Sequence, residues 1–417
     1  DYCLVMTHLR KFPYPYSAMI AISNDIDGTD IQNFRELHRF LNTEKDTRMG
    51  PGVGLDIADS FWMYNLADET TNGETQYAGD DTMSYWRGHC SEATQNAEEI
   101  RQYINCGWID TLHSYGDFSI EGGFTRTHAE EAIAELNTVG CQVQVWTNHG
   151  DIKNSQNFYG TINNNFTGDN PDSDAYHTDL TLNNGIEFVW NKTGSQLGYE
   201  SIIKPVSLWD GQQVWGFQRF THNTGPKSFL RNQLGKVASR VETITGISSR
   251  IFTVLKSNLW HPERLHEQLS EKNLQQLVDN GQYAIIGQHL GCREKLLPVS
   301  ARKALRRLRE RQDEKDILVT RTSRLLEYNR VWKFLEYSVH GDVIDISHVA
   351  DPIFDDFVPE IEQLRGITFY TEGPSTTSIT LRGDPIPEDE LKKNPPDGEM
   401  SSIGVRWFEP DRTDYTP

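Results

Sequence analysis

Asn24, Asp25, Asp27 and Asp30 crowd the end of a short apolar run, MIAISNDIDGTD (19–30). Carboxylates this close repel each other unless a cation, a shared proton or a substrate compensates them. An Asx-rich turn is the plainer reading, so partners elsewhere must decide. A second stretch, TLHSYGDFS (111–119), sets His113 four residues before Asp117. One helical turn or a tight loop brings such a pair to one face. An imidazole nitrogen with a carboxylate oxygen is half of a site for Zn2+ or a similar divalent ion. A carboxylate from Asp25 or Asp27 would make three protein ligands and leave positions for water and substrate, the open coordination that hydrolysis needs.

These residues need elements to hold them. AMIAIS (18–23), WIDTLHS (108–114), CQVQVWTNHG (141–150) and QYAIIGQHLG (282–291) read as central strands that end in polar residues. Helical patterns fall between them at 33–42, 92–105, 127–140 and 263–281. The alternation predicts an α/β fold of parallel strands, a doubly wound sheet or a barrel, with chemistry at the carboxyl ends of the strands. Asp25 and Asp27, His113 and Asp117, His149, and His289 fall at those ends. Residues 150–260 are irregular and rich in Asn, Gly, Trp and Tyr, which predicts loop insertions around a site. Residues 296–340 read as helical, and the basic run ARKALRRLRERQDEK (301–315) as a solvated helix face. Residues 346–417 read as a small β-rich C-terminal module, giving a division at 1–345 and 346–417.

With 40 basic against 60 acidic residues in 417, the net charge of −20 excludes nucleic acid as a main partner. No segment approaches the ~20 apolar residues of a transmembrane helix. The chain starts at Asp1 without Met, so an extracytoplasmic or secreted protein is expected if a signal peptide was removed. Five scattered cysteines without a CxxC pair exclude a zinc ribbon. Asp80-Asp81 and Asp355-Asp356 read as solvated acid. His8, His177, His222, His261, His340 and His348 show no partner pattern.

Three stretches together resemble the polysaccharide deacetylases, the NodB-like carbohydrate esterases: Asn24-Asp25-Ile26-Asp27-Gly28, His113-Ser114-Tyr115-Gly116-Asp117, and Ala284-Ile285-Ile286-Gly287-Gln288-His289. The resemblance covers roughly 15–295 and implies a distorted (β/α)7 barrel. It also implies a metal-dependent hydrolase, with a divalent metal, Zn2+, as cofactor, that removes N-acyl groups such as acetyl from a polysaccharide or glycan. Carried over, Asp27, His113 and Asp117 hold the metal, Asp25 is the general base and His289 the general acid. This chain departs from the family in the Ile26 between the aspartates, in Asp117 where the family has a second His, and in its large insertion. Arg126 is the candidate for the family's Arg motif. His149 is read as a substrate ligand, an extra metal ligand or a capping residue. Trp146, Trp209 and Trp215 are candidates to stack on sugar rings. Arg219 would bind an acidic sugar, orient the base, or form a surface ion pair. A glycoside hydrolase on a similar barrel, or a catalytically silent glycan-binding protein, are the alternative expectations.

Overall fold

Ala18–Asn24 form β1, and every one of the seven residues is buried. A strand apolar on both faces fits a parallel sheet covered on each side. The computed structural model describes residues 7–66, 82–118, 123–149, 153–158, 165–194, 196–221, 259–291, 296–398 and 400–417. Asp80-Asp81, His222, Cys3, Cys292 and part of the 150–260 segment lie outside them.

Around β1 runs a closed barrel of seven parallel strands in chain order. The others are β2 (Ala58–Phe61), β3 (Ile109–His113), β4 (Val145–Thr147), β5 (Phe188–Gly194), β6 (Gln213–Phe220) and β7 (Tyr283–Gln288), which pairs back onto β1. The four strands read from sequence are all present. The other three were missed, and the expectation of loops through 150–260 is corrected: β5 and β6 lie inside it, with Ile203–Ser207 paired antiparallel on β6. Their Asn, Lys, Gln and Gly residues hide the β pattern, and β2 is only four residues long with Asp59 and Ser60 at its centre.

The β1–β7 pair is the firmest seam near the candidate site, with six residue pairs in register from Met19↔Tyr283 to Asn24↔Gln288. On its other edge β1 is shared. Ile317–Val319 (β8) pairs with Ala18–Ile20, while β2 takes Ser23 and Asn24. β6 meets β7 at Phe220↔Ile286, and a bridge from Tyr199 to Tyr283 closes the seam below it.

Helices α1 (Ile31–Asn42), α2 (Ala97–Cys106), α3 (Arg126–Thr138), α4 (Thr178–Asn183), α5 (Glu271–Asp279), α6 (Val299–Asp313) and α7 (Thr322–Phe334) complete the described helical elements longer than one turn. α1 starts where Asp30 accepts from the Asn33 N–H at 2.7 Å, and it buries Phe34, Leu37, His38 and Leu41 at helical spacing. α6 buries Ala301, Ala304, Leu305 and Leu308. Its arginines are not a free solvated face. Arg302, Arg306 and Arg309 donate to the carbonyls of Met49, Pro51 and Val53, fastening the α1–β2 connection. The helical reading of 296–340 is interrupted by β8 and ends in a strand, Leu335–His340.

The C-terminal region is β-rich, in two four-stranded sheets that also take in strands from before residue 346. One joins 335–340, 343–349, 378–381 and 384–385. The other joins 368–370, 391–397 and 400–405 with His8–Leu9 from the start of the chain. One core runs from the barrel into both, uniting Met19, Trp215 and Ile285 with Ile344, Ile346, Phe369 and Ile403. Among the described residues no helix is long and apolar enough to cross a membrane.

After Val405 the chain runs without regular structure along the amino-terminal end of the barrel. Asp414 pairs with Arg39 at 3.1 Å and Lys45 at 3.2 Å, Arg412 with Glu44 at 2.6 Å, and Tyr415 meets Trp108 edge-on. Arg39, Lys45, Arg412 and Glu44 stay partly in solvent, so these ion pairs contribute little and Tyr415 carries most of the attachment. Deleting 409–417 is expected to lower unfolding free energy by about 1–3 kcal/mol. Thermal melts check this; an unchanged melting temperature would show the tail to be merely laid on the surface.

Candidate metal centre

The loop after β1 is held from both sides. The Asp25 N–H donates to the Gln288 carbonyl at 2.9 Å, and the Ile26 N–H to Ser60 Oγ at 3.0 Å. The Ile26 side chain is wholly buried in the core. Alternation along extended chain then sends the carboxylates on either side of it to one place. Both Asp25 and Asp27 are buried, and Gly28, at φ 65°, turns the chain away after them. The isoleucine between the aspartates therefore aims both at the site.

His113 closes β3 and faces Asp27, Nε2 to Oδ2 at 2.9 Å. Its Nδ1 lies 2.7 Å from Thr147 Oγ1 at the end of β4, and its ring stacks on Trp62. His149, two residues beyond β4, sets Nδ1 3.0 Å from Asp27 Oδ1 and 3.3 Å from His113 Nε2. Asp27, His113 and His149 each bring one donor atom within 4.8 Å of the others, and all three are buried. Asp25, Asp27 and His289 do the same on the other side of the shared Asp27. The groups of this double cluster come from the ends of β1, β3, β4 and β7.

One carboxylate and two imidazoles form a donor set that suits a divalent ion such as zinc. The far side of each ring is also provided for, as ligating imidazoles require. Thr147 faces Nδ1 of His113, and Asp117 Oδ1 lies 3.6 Å from Nε2 of His149. Asp117 thus stands behind His149, and it is His149 that lies beside Asp27 and His113. His149 has the place next to Asp27 that was assigned to Asp117. No local spacing could show this, because the second imidazole comes from the next strand.

Arg219, near the end of β6, is buried and donates from Nη1 to Asp25 Oδ1 at 2.6 Å, with its guanidinium 3.9 Å from the centre of the Trp190 ring. A surface ion pair is thereby excluded, and the arginine orients the carboxylate expected to be the base. Arg126 is bound elsewhere, bidentate to Asp179 at 2.7 and 2.8 Å. Trp146 is wholly buried, donates to Asn148 at 2.8 Å and packs against Tyr115 and Phe158, so it cannot meet a sugar. Trp215 is likewise core, while Trp209 is 65% exposed in the turn before β6, at the opposite end of the barrel. A cavity of about 300 Å³ also lies at that end, between Tyr14, Leu318, Arg321 and Trp407, and no cluster residue lines it.

Burial drives both aspartates up, but charged neighbours outweigh it. Arg219, then His113 and His289, hold Asp25 below the usual carboxylate range, and His113 and His149 hold Asp27 well below it. Burial pulls His289 down, while Asp27 and then Asp25 pull it up and prevail. His289 Nε2 is 3.5 Å from Asp27 Oδ2 and 3.8 Å from Asp25 Oδ2, and the ring is partly open to solvent.

The His149 loop hangs on a buried polar net. Ser114, at φ 50°, accepts from the His149 N–H at 2.9 Å and donates to Asn157 at 2.8 Å. Gln156 accepts from the Tyr115 N–H and donates to the Gly116 carbonyl. His177, for which the sequence offered no partner, meets the Gln156 carbonyl and Thr181 Oγ1, each at 2.7 Å. Burial pushes its imidazole down to about 4 from an ordinary 6.5. As pH falls from 6.5 towards 4 the unfolded chain takes a proton that the folded chain refuses, so stability declines across that window. The loss reaches about 3 kcal/mol at most. His177→Gln should flatten the decline, as measured by denaturant unfolding at pH 4.5 and 7; an equal slope in both proteins would contradict the assignment.

No family model matches the chain, and neither a curated protein nor a solved structure is significantly similar to it. What the site does is therefore read from its own geometry.

Proposed function

We propose that this protein is a metal-dependent hydrolase of the polysaccharide-deacetylase kind, on a (β/α)7-type barrel, that removes N-acyl groups from a glycan. The observation that carries the reading is the convergence of Asp27, His113 and His149 beside an Arg-bound Asp25 and a partly exposed His289. Asp27, His113 and His149 would hold the ion, with zinc the best match to one carboxylate and two imidazoles. A divalent cation there would make a water acidic near neutral pH and polarise an acyl carbonyl.

The chain's own groups divide the rest of the work. Asp25 stays ionised beside Arg219 and takes the proton of the attacking water, as a positioned general base. Arg219 fixes the carboxylate by holding Oδ1, which leaves Oδ2 free for that proton. His289, on the open side, delivers a proton to the departing nitrogen, since an amine cannot leave as an anion. Asp117 and Thr147 keep the two imidazoles turned the right way. The net charge of −20 suits a neutral or cationic glycan better than a polyanionic one.

The test is acetate release from N-acetylated glycans, with metal quantified in each variant. Asp25→Asn is expected to keep the metal and cut turnover by roughly 10²–10⁴-fold, the usual worth of a positioned base. His113→Ala should lose both metal and activity while remaining folded. His289→Ala should slow amides more than activated esters. No acyl release from any glycan by the metal-loaded wild type would overturn the reading.

A further inference from the structure

The double cluster is larger than one ion needs. Asp27 has two oxygens facing different neighbours: Oδ1 lies 3.0 Å from His149, while Oδ2 lies 2.9 Å from His113 and 3.5 Å from His289. Asp25 is divided in the same way. Its Oδ1 is held by Arg219 at 2.6 Å, and its Oδ2 lies 3.8 Å from His289 Nε2. Three donor atoms of three residues thus converge a second time, within 4.8 Å of one another, and Asp27 is common to both sets. We propose that Asp25, Asp27 and His289 form a second, weaker divalent-cation site bridged to the first by Asp27, and that filling it switches the hydrolase off.

The ordering of the two sites follows from their charges and access. The first set has two buried imidazoles, with Thr147 behind one and Asp117 behind the other. The second offers one free oxygen of a carboxylate that Arg219 already neutralises, and a ring that is partly exposed. The guanidinium and an ion in the first site both repel a second cation at short range, where Coulomb energies are largest. Coupling between two binding sites is roughly 5–150-fold, and this repulsion makes the second site fill only in metal excess. Its ligands are the groups that would take and give the protons. An ion there ties up Asp25 Oδ2 and His289 Nε2 together, and the reaction stops although the first site is intact. This regulation rests on the proposed hydrolytic function, but the site itself does not.

Isothermal titration of the metal-free 417-residue protein with Zn2+ separates these claims. Wild type is expected to show a tight step of one equivalent and a second at least about tenfold weaker. His289→Ala and Asp25→Asn should keep the tight step and lose the second. Arg219→Gln should tighten the second step, because a repelling charge is gone, even though the same change lowers turnover. In the acetate assay, zinc added beyond one equivalent should inhibit the wild type over the concentration range of the second step. A single step in wild type, or a second step unchanged in both His289→Ala and Asp25→Asn, overturns the second site and leaves the hydrolase reading standing. Absence of any step overturns both. Two steps with full acetate release at saturating zinc would retain the site and overturn its inhibitory role.

Discussion

A carboxylate buried against two imidazoles is the constraint on which the rest of the site depends. Asp27 is taken out of water at the end of β1, which is costly unless its charge is met nearby. His113 and His149 meet it at 2.9 and 3.0 Å, one on each oxygen. Both imidazoles must then be fixed, or the carboxylate would be stranded. That requirement explains Thr147 behind His113, Asp117 behind His149, and the Ser114–Asn157 pair that seats the His149 backbone. It also explains why the net continues outward through Gln156 to the buried His177. Each layer satisfies the polar groups of the layer inside it.

The barrel serves this arrangement by bringing separate strand ends to one mouth. β1 and β7 are zipped along six residue pairs, so Asp25, Asp27 and His289 sit on one rigid unit. Asn24 links the two ends, its side chain accepting from the Leu290 N–H and donating to Asp59 on β2. Gly116 allows the loop after β3 to pass against β2, since a Cβ there would lie 2.1 Å from the Tyr64 carbonyl oxygen. A left-handed Ser114 and a dense set of buried polar groups thus lie where the carboxyl ends of the strands meet, as expected of a built site.

Much of this was legible in the sequence, and what was not has identifiable physical reasons. β1, β3, β4 and β7 announce themselves because their runs are apolar and end sharply in polar residues. β2, β5 and β6 do not, because ADSF, FVWNKTG and QVWGFQRF break the apolar pattern with polar residues and glycine. Asp59 is an example: it is acceptable in a buried strand only because Asn24 and His38 face it. Asp25, Asp27, His113 and His289 were visible as polar residues at strand ends. His149 was also visible at a strand end as a possible extra ligand, but that it and not Asp117 lies against Asp27 was not, because spacing within one segment says nothing of a donor from the neighbouring strand. The same holds for Arg219, whose partner Asp25 lies 194 residues away. Trp146 shows the opposite error, a tryptophan at a strand end that points inward.

The measurement that bears most directly on this account compares His149→Ala with Asp117→Asn for zinc affinity, by competition against a chromophoric chelator. If His149 is a ligand and Asp117 stands behind it, His149→Ala loses tight binding altogether. Asp117→Asn then keeps one equivalent at an affinity weakened by roughly 10–100-fold, the usual effect of removing a group that orients a ligand. A full equivalent of tightly held zinc in His149→Ala, with none in Asp117→Asn, would contradict it.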